Sequence, residues 1–210
     1  MRKTGPTPPR AAPLLGALLL VTLAAAGMRP TTAATTAATT ASNYTADATR
    51  SHLEFFGVQA GAEFKGEFHK FAALLSFAPD ASTSNHIDVQ IDLNSLDTQD
   101  KDRDKTMRSA DIFDIAHTPN AHYITRSFTK TASGYIAQGS LTLRGITKDV
   151  PIEFRFTPGT GSAAGAKLEG TAKLKRLDFG VGQGDWKSTE WVDDAVKIHF
   201  ALALILSPKP

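Results

Sequence analysis

No cysteine occurs in the 210 residues, so disulfides, thiolate metal sites and cysteine nucleophiles are excluded, while the redox compartment is left open. The fold must hold by burial and hydrogen bonding alone. A surplus of charge is lacking as well. The formal net charge is +2, but Arg2, Lys3 and Arg10 lie in an N-terminal segment that contains no acid. Beyond residue 26 the chain carries 20 basic against 21 acidic residues. A near-neutral body has no basic stripe with which to neutralise phosphates, which argues against a nucleic-acid partner. Long apolar runs are also missing. Leu14 to Ala26 falls short of the roughly 20 residues that span a bilayer, and Pro13 and Gly16 weaken it further.

Several reactive motifs are absent in the same way. The six histidines, at 52, 69, 86, 117, 122 and 199, show neither H-x-H nor H-E-x-x-H spacing, so no metal site is expected. Asp100, Asp102 and Asp104 open like an EF-hand loop. The sixth position is Lys105 where glycine is required, and the twelfth is Asp111 rather than a bidentate glutamate, so these read as solvated charges starting a helix. Gly180, Gly182 and Gly184 form a G-x-G-x-G run without the strand-helix-strand unit that a dinucleotide site needs. No G-x-S-x-G nucleophile elbow exists, and Asp193-Asp194 falls in a turn-like segment before a strand. We therefore expect no catalytic residues and no cofactor.

What is present begins with a leader. The positive residues at 2, 3 and 10 precede the apolar run, and Ala24 and Ala26 supply an A-x-A site, the plan of a secretory signal peptide over residues 1–26. Export and a periplasmic location, or full secretion, follow as expectations. Residues 27–43, Thr/Ala-rich from Thr31 to Thr40, read as a disordered linker too poor in large apolar groups to pack. The folded domain is then residues 44–210.

Within that domain, alternation of period two recurs. Ile87, Val89, Ile91 and Leu93 share one face, as do Val150, Ile152, Phe154 and Phe156, and again Val196, Ile198, Phe200, Leu202 and Leu204. Further strands fit Ser51 to Val58, Phe64 to Phe77, Ala121 to Thr129, Tyr135 to Leu143 and Lys167 to Arg176. About eight strands separated by turn signals indicate an all-β sandwich or closed barrel. Glycines at 57, 66, 139, 145 and 170 suit the bends that barrel closure needs. Asp97 to Ala116 breaks the pattern with helical character, as a short helix capping one barrel mouth would. An eight-stranded barrel can be filled by side chains or hold one small ligand. Periodicity leaves both open, with the filled core the commoner outcome.

Four stretches together resemble the YceI-like family, the polyisoprenoid-binding, lipocalin-like periplasmic proteins. They are Gly66-Glu67-Phe68-His69-Lys70-Phe71; Ser95 to Thr98 continuing through Arg103-Asp104 and Arg108 to Asp114; Gly139 to Lys148; and Asp178 to Trp186. The resemblance covers roughly residues 44–206, with departures at Thr106, where the family often has histidine, and at Ile112. It implies an eight-stranded antiparallel lipocalin-like barrel with a short helix near one mouth and a long apolar tunnel. The implied ligand is a polyisoprenoid, a quinone or another long-chain lipid, held by a non-enzymatic binding or carrier protein. The segment Phe179 to Trp186 is similar to the branch found beside membrane b-type cytochromes, which implies transient membrane or cytochrome contact. The rival expectation is an accessory enzyme or redox partner acting on isoprenoid quinones, and a ligand-free stress-related barrel is a third.

Alternation selects Phe55, Phe71, Leu75, Ile91, Leu141, Leu143, Phe154, Ile198 and Phe200 as lumen residues. Thr142, between two of them, should face outward. Arg144, Arg176, Asp178 and the amphipathic Trp186 are candidates to meet a polar head at the rim. An ion pair between Arg176 and Asp178 is the structural alternative.

Overall fold

The computed structural model describes residues 41–80, 84–160 and 165–207. The segment read as a leader (1–26) lies outside the described residues, and so does nearly all of the segment read as a linker (27–43). A strand starts at Ser42, two residues inside the segment read as linker.

Twelve strand segments form one antiparallel sheet. In chain order they are β1 (Ser42–Ala46), β2 (His52–Gln59), β3 (Ala62–Phe68), β4 (Phe71–Phe77), β5 (His86–Asp92), β6 (Leu96–Asp97), β7 (Asn120–Lys130), β8 (Tyr135–Leu143), β9 (Ile146–Asp149), β10 (Ile152–Pro158), β11 (Ala166–Lys175) and β12 (Ala195–Leu206). Several are halves of one longer strand. β1 and β2 pair with successive parts of β12, Tyr44 opposite Leu206 and Phe56 opposite Lys197. β9 and β10 likewise divide β8 between them. β3 with β4, and β5 with β6, continue one another in the same way. Joined so, the segments make a closed eight-stranded antiparallel barrel. Closure removes the unpaired edges that an open sheet would expose.

The interruptions have local causes. Between β9 and β10 stands Pro151, which has no N–H to give a ladder. Between β5 and β6 a 3-10 turn at Leu93–Ser95 is capped by the Asp92 carboxylate, which accepts from Asn94 N. In β7 the register shifts between Thr125 and Ser127. Such a bulge bends a strand and helps a small barrel close. It turns Arg126 outward to pair with Asp149 at 2.8 Å, while the buried Thr125 hydroxyl accepts from Ile87 N at 2.8 Å.

One helix is present among the described residues, α1 (Lys101–Met107). It is much shorter than the Asp97 to Ala116 expected from sequence. Its start is fixed by Asp100, whose carboxylate accepts from the backbone N–H groups of Asp102 and Arg103. Beyond Arg108 the chain coils in turns, Phe113 N bonding back to Met107 O and Asp114 adopting φ of 50°. The apolar residues Ile112 and Phe113 that suggested helix are buried from turns instead. The aspartate run thus spends itself on the fold, since Asp104 accepts from both the N–H and the hydroxyl of Thr98.

Candidate functional site

The interior is divided along its axis. At one end Phe77, 1% exposed, has the rings of Phe128, Tyr135, Phe154 and Phe156 around it at centroid distances between 4.6 and 6.0 Å. Tyr135 stacks on Phe154 at 5.4 Å, and Tyr44 meets Phe156 edge-on at 5.6 Å. These residues come from the ends of β1, β4, β7, β8 and β10 that point the same way, so aromatic bulk converges there and closes the barrel.

The other half contains a cavity of about 510 Å³. Its wall is almost wholly hydrocarbon. Ile198 and Phe200 of β12, Leu141 and Leu143 of β8, Phe55 of β2, Phe71 of β4 and Ile91 of β5 all line it, on the inward face alternation gave them, and so does Trp186, offered from sequence as a rim residue. Thr142 points away, its hydroxyl bonded to that of Thr147 at 2.8 Å. Leu75 and Phe154 require correction. Both face inward but neither lines the cavity. Alternation reports which face a residue takes, not its height along the axis, and both sit in the filled half. Leu75 is 2% exposed, opposite Tyr44 and Ile87.

One polar group in the wall is internally satisfied. The Tyr123 hydroxyl donates to Val150 O at 3.0 Å, and burial raises its pKa well above the ordinary phenol value. Gly139 makes this placement feasible, because a Cβ there would overlap the Tyr123 ring.

The mouth is a collar of three chain segments: α1 with the turns after it, the β8–β9 turn, and the long connection from β11 to β12. Two of the expected head-group residues turn out to hold this collar together. Arg144, in the β8–β9 turn, donates through Nη1 to Ala110 O and Ile112 O, each at 2.6 Å. Arg176 is 5% exposed and donates to the carbonyls of Val181, Ser188, Val192 and Asp193 at 2.9 to 3.2 Å. Burial lowers its pKa, opposed by the charge of Asp194. Neither the ion pair with Asp178 nor a head-group role for that acid is found, since Asp178 is exposed and outside the cavity wall. The glycine-rich run serves the same collar. Gly182, with φ of 97°, lies so close to the Arg176 guanidinium that a side chain would displace it. Gly182 N and Gln183 N both donate to Asp111 O.

Sequence reasoning missed Arg103. This α1 residue lines the cavity mouth, its guanidinium 4.6 Å above the centre of the Phe64 ring and 3.6 Å from the Asp100 carboxylate. Its Nε is buried and has no hydrogen-bond partner. A donor in that state costs free energy until an acceptor meets it. Two-residue alternation could not select it, because it lies on a helix. The signal available was its position in the Arg103-Asp104 pair of the family resemblance. Among the described residues no three histidine, aspartate or glutamate side chains converge as metal ligands would.

Comparison with known proteins places this barrel. A UPF0312 protein of Yersinia enterocolitica is 34% identical over 121 residues, 55% of this chain and 62% of that protein, so the match spans under two thirds of the relative's length. The crystal structure of BcnA from Burkholderia cenocepacia superposes with a TM-score of 0.66 at 30% identity, covering 75% of this chain and 98% of that one. A polyisoprenoid binding domain from Saccharophagus degradans, implicated in plant cell wall breakdown, superposes with a TM-score of 0.60 over 78% of this chain and 98% of its own. At 19% identity it speaks for the fold alone. A YceI-like domain matches residues 44–204, three quarters of the chain and nearly all of its described barrel, and the chain belongs to the YceI-like family.

Proposed function

We propose that the protein binds one long-chain amphiphile, an isoprenoid, a quinone or an acyl lipid, with its tail in the cavity and its head at the collar. The observation that carries this reading is a cavity closed by aromatic side chains at one end and rimmed by polar groups at the other. Each methylene transferred from water into such a wall gains about 0.8 kcal/mol. A dozen contribute about 10 kcal/mol, set against the roughly 4 to 15 kcal/mol that association costs. No directional contact is needed along the tail. At the mouth the unspent Arg103 Nε suits an acceptor oxygen on the head, whether carbonyl, hydroxyl or phosphate. A domain of the same fold being described as polyisoprenoid binding supports the ligand class.

The leader over residues 1–26 supports a periplasmic carrier that collects its lipid from a membrane and returns it there. Catalysis would need acid, base or nucleophile groups converging on the lumen. The ionisable groups among the cavity-lining residues cluster at the mouth, apart from the already bonded Tyr123 and from Glu54, whose carboxylate is bonded to Lys65 and His199. Protein purified from its native host, extracted with organic solvent and analysed by mass spectrometry, should yield one lipid per chain at near-stoichiometric amounts. Protein that yields none, and takes up none when incubated with prenols, quinones or fatty acids, would overturn the proposal.

A further inference from the structure

We infer that the aromatic cluster around Phe77 is a length stop, and that the ligand class is set to single tails of about 12 to 17 carbons rather than long polyprenyl chains. This rests on the lipid-binding reading and sharpens it. The cavity-lining positions of β12 run from Val196 to Leu202. At about 3.3 Å per residue they span about 20 Å of strand, or about 15 Å along the axis of a barrel whose strands tilt by about 40°. A hydrocarbon zigzag built from bonds of about 1.5 Å advances about 1.3 Å per carbon, so about 12 carbons fit fully extended. Volume sets a looser bound. At about 30 Å³ of liquid volume for a group the size of water or a methylene, the 510 Å³ cavity houses about 17 groups.

Beyond that depth the tail meets side chains instead of space. Phe77 is 1% exposed and Leu75, two positions before it on β4, is 2% exposed. Phe154 and Phe128 stand edge-on to each other, 6.2 Å apart, across the same level. Packing of this density yields no path for a chain unless a ring is removed. A tail longer than the cavity must leave its excess in the collar or in water, where added carbons contribute nothing. The head stays at the mouth in every case, because the closed end presents no polar rim.

The test is a chain-length series. Geraniol, farnesol, geranylgeraniol and solanesol would be titrated against the full mature protein by displacement of a fluorescent hexadecanoyl probe. Each methylene that finds room should tighten binding up to about fourfold. Affinity should therefore climb steeply from geraniol to farnesol, flatten by geranylgeraniol and gain nothing further with solanesol. Phe77→Ala should move the optimum outward, tightening geranylgeraniol or solanesol at least tenfold relative to farnesol. Because Phe77→Ala endangers the fold, Ala172→Phe provides the opposite arm. It adds a ring to the cavity wall at mid-barrel, opposite Ile152 on β10 and Ile198 on β12, and should weaken geranylgeraniol at least tenfold while sparing geraniol. Solanesol binding tenfold tighter than geranylgeraniol in the wild type would overturn the stop while leaving lipid binding intact. So would an Ala172→Phe variant that weakens all four alcohols equally. Displacement by none of the four would instead remove the lipid-binding reading itself.

Discussion

Leu141→Trp separates a cavity from a packed core in one experiment. The side chain lies on β8 opposite Tyr123 of β7 and on the cavity wall. Tryptophan has roughly six more heavy atoms than leucine and takes up about 60 Å³ more room, against a cavity of 510 Å³. The ring therefore has space to enter, consuming only a minor part of the cavity. Stability should therefore stay within about 1 kcal/mol of wild type, whereas the same insertion into a close-packed interior costs about 1 to 3 kcal/mol. Ligand capacity should respond in the opposite sense. Losing room for about two methylenes at about 0.8 kcal/mol each removes about 1.6 kcal/mol of transfer free energy, or about a 15-fold loss of affinity, so lipid retained through purification should fall. Thr142→Trp is the control, since Thr142 points away from the lumen towards Thr147. It should leave both lipid content and fold unchanged. The assay is bound lipid per protein by mass spectrometry beside a urea midpoint for each variant. A Leu141→Trp protein destabilised by more than about 2 kcal/mol with undiminished lipid would refute the reasoning.

Three further outcomes follow from the collar and the surface. Arg103→Met keeps the stem that covers Phe64 but removes the charged donor, and should weaken an oxygen-headed ligand about 10- to 100-fold, the worth of one hydrogen bond to a charged group, with no change in urea midpoint. Arg176→Met strips four carbonyls of their donor. It should cost about 3 kcal/mol or more and raise hydrogen exchange selectively between residues 177 and 194. On acidification, Asp47, Glu54, Asp97, Asp100 and Asp149 all act with one sign. Each is held below its ordinary value by hydrogen bonds, those to Thr49 and Arg50 leading for Asp47 and that to Lys65 for Glu54. Their contribution is present above the unfolded carboxylate values near 4 and is lost as pH falls through the lower folded values, so the melting temperature should be flat from pH 7 to about 5 and then decline. If residues 1–26 are a cleaved leader, N-terminal sequencing of the exported protein should start between Gly27 and Ser42, because β1 begins there.

The eight long strands were legible because an interior face leaves a period-two signature whatever it encloses. Val196 to Leu204 alternates without a break, and β12 spans Ala195–Leu206. The halving of strands was not legible. Phe64 to Phe77 reads as one strand until the separate pairing of β3 with β2 and of β4 with β1 is seen, and pairing is a property of distant residues. The helix was overestimated because Ile112 and Phe113 can be buried by turns as readily as by a helical face. Here a guanidinium 32 residues downstream of Ile112 makes the difference, Arg144 capturing the carbonyls that helix would have used. The same holds for two of the head-group candidates, while Trp186 does line the cavity. A buried arginine in sequence looks like a counter-ion for some carboxylate, yet Arg144 and Arg176 spend their donors on backbone carbonyls, which every residue carries and no motif reveals.

Height along the barrel axis is the quantity that sequence does not encode and function depends upon. Phe154 and Ile152 occupy the same strand and face, two positions apart, yet one closes the barrel and the other lines the cavity. The difference arises from neighbours. Phe154 is paired with Tyr135 and Gly170 and is met by the rings of Phe77 and Phe128 from strands β4 and β7, while Ile152 is paired with Ala137 and Ala172. Small residues across from branched ones leave volume, and aromatics across from aromatics remove it. The same partition separates stability from binding. The filled half supplies dense packing, and the collar is fixed by arginine-carbonyl bonds that do not face the ligand. The cavity wall is therefore left free to set the shape and length of what it holds without unfolding the barrel, the division of labour that a binding site on a rigid scaffold requires.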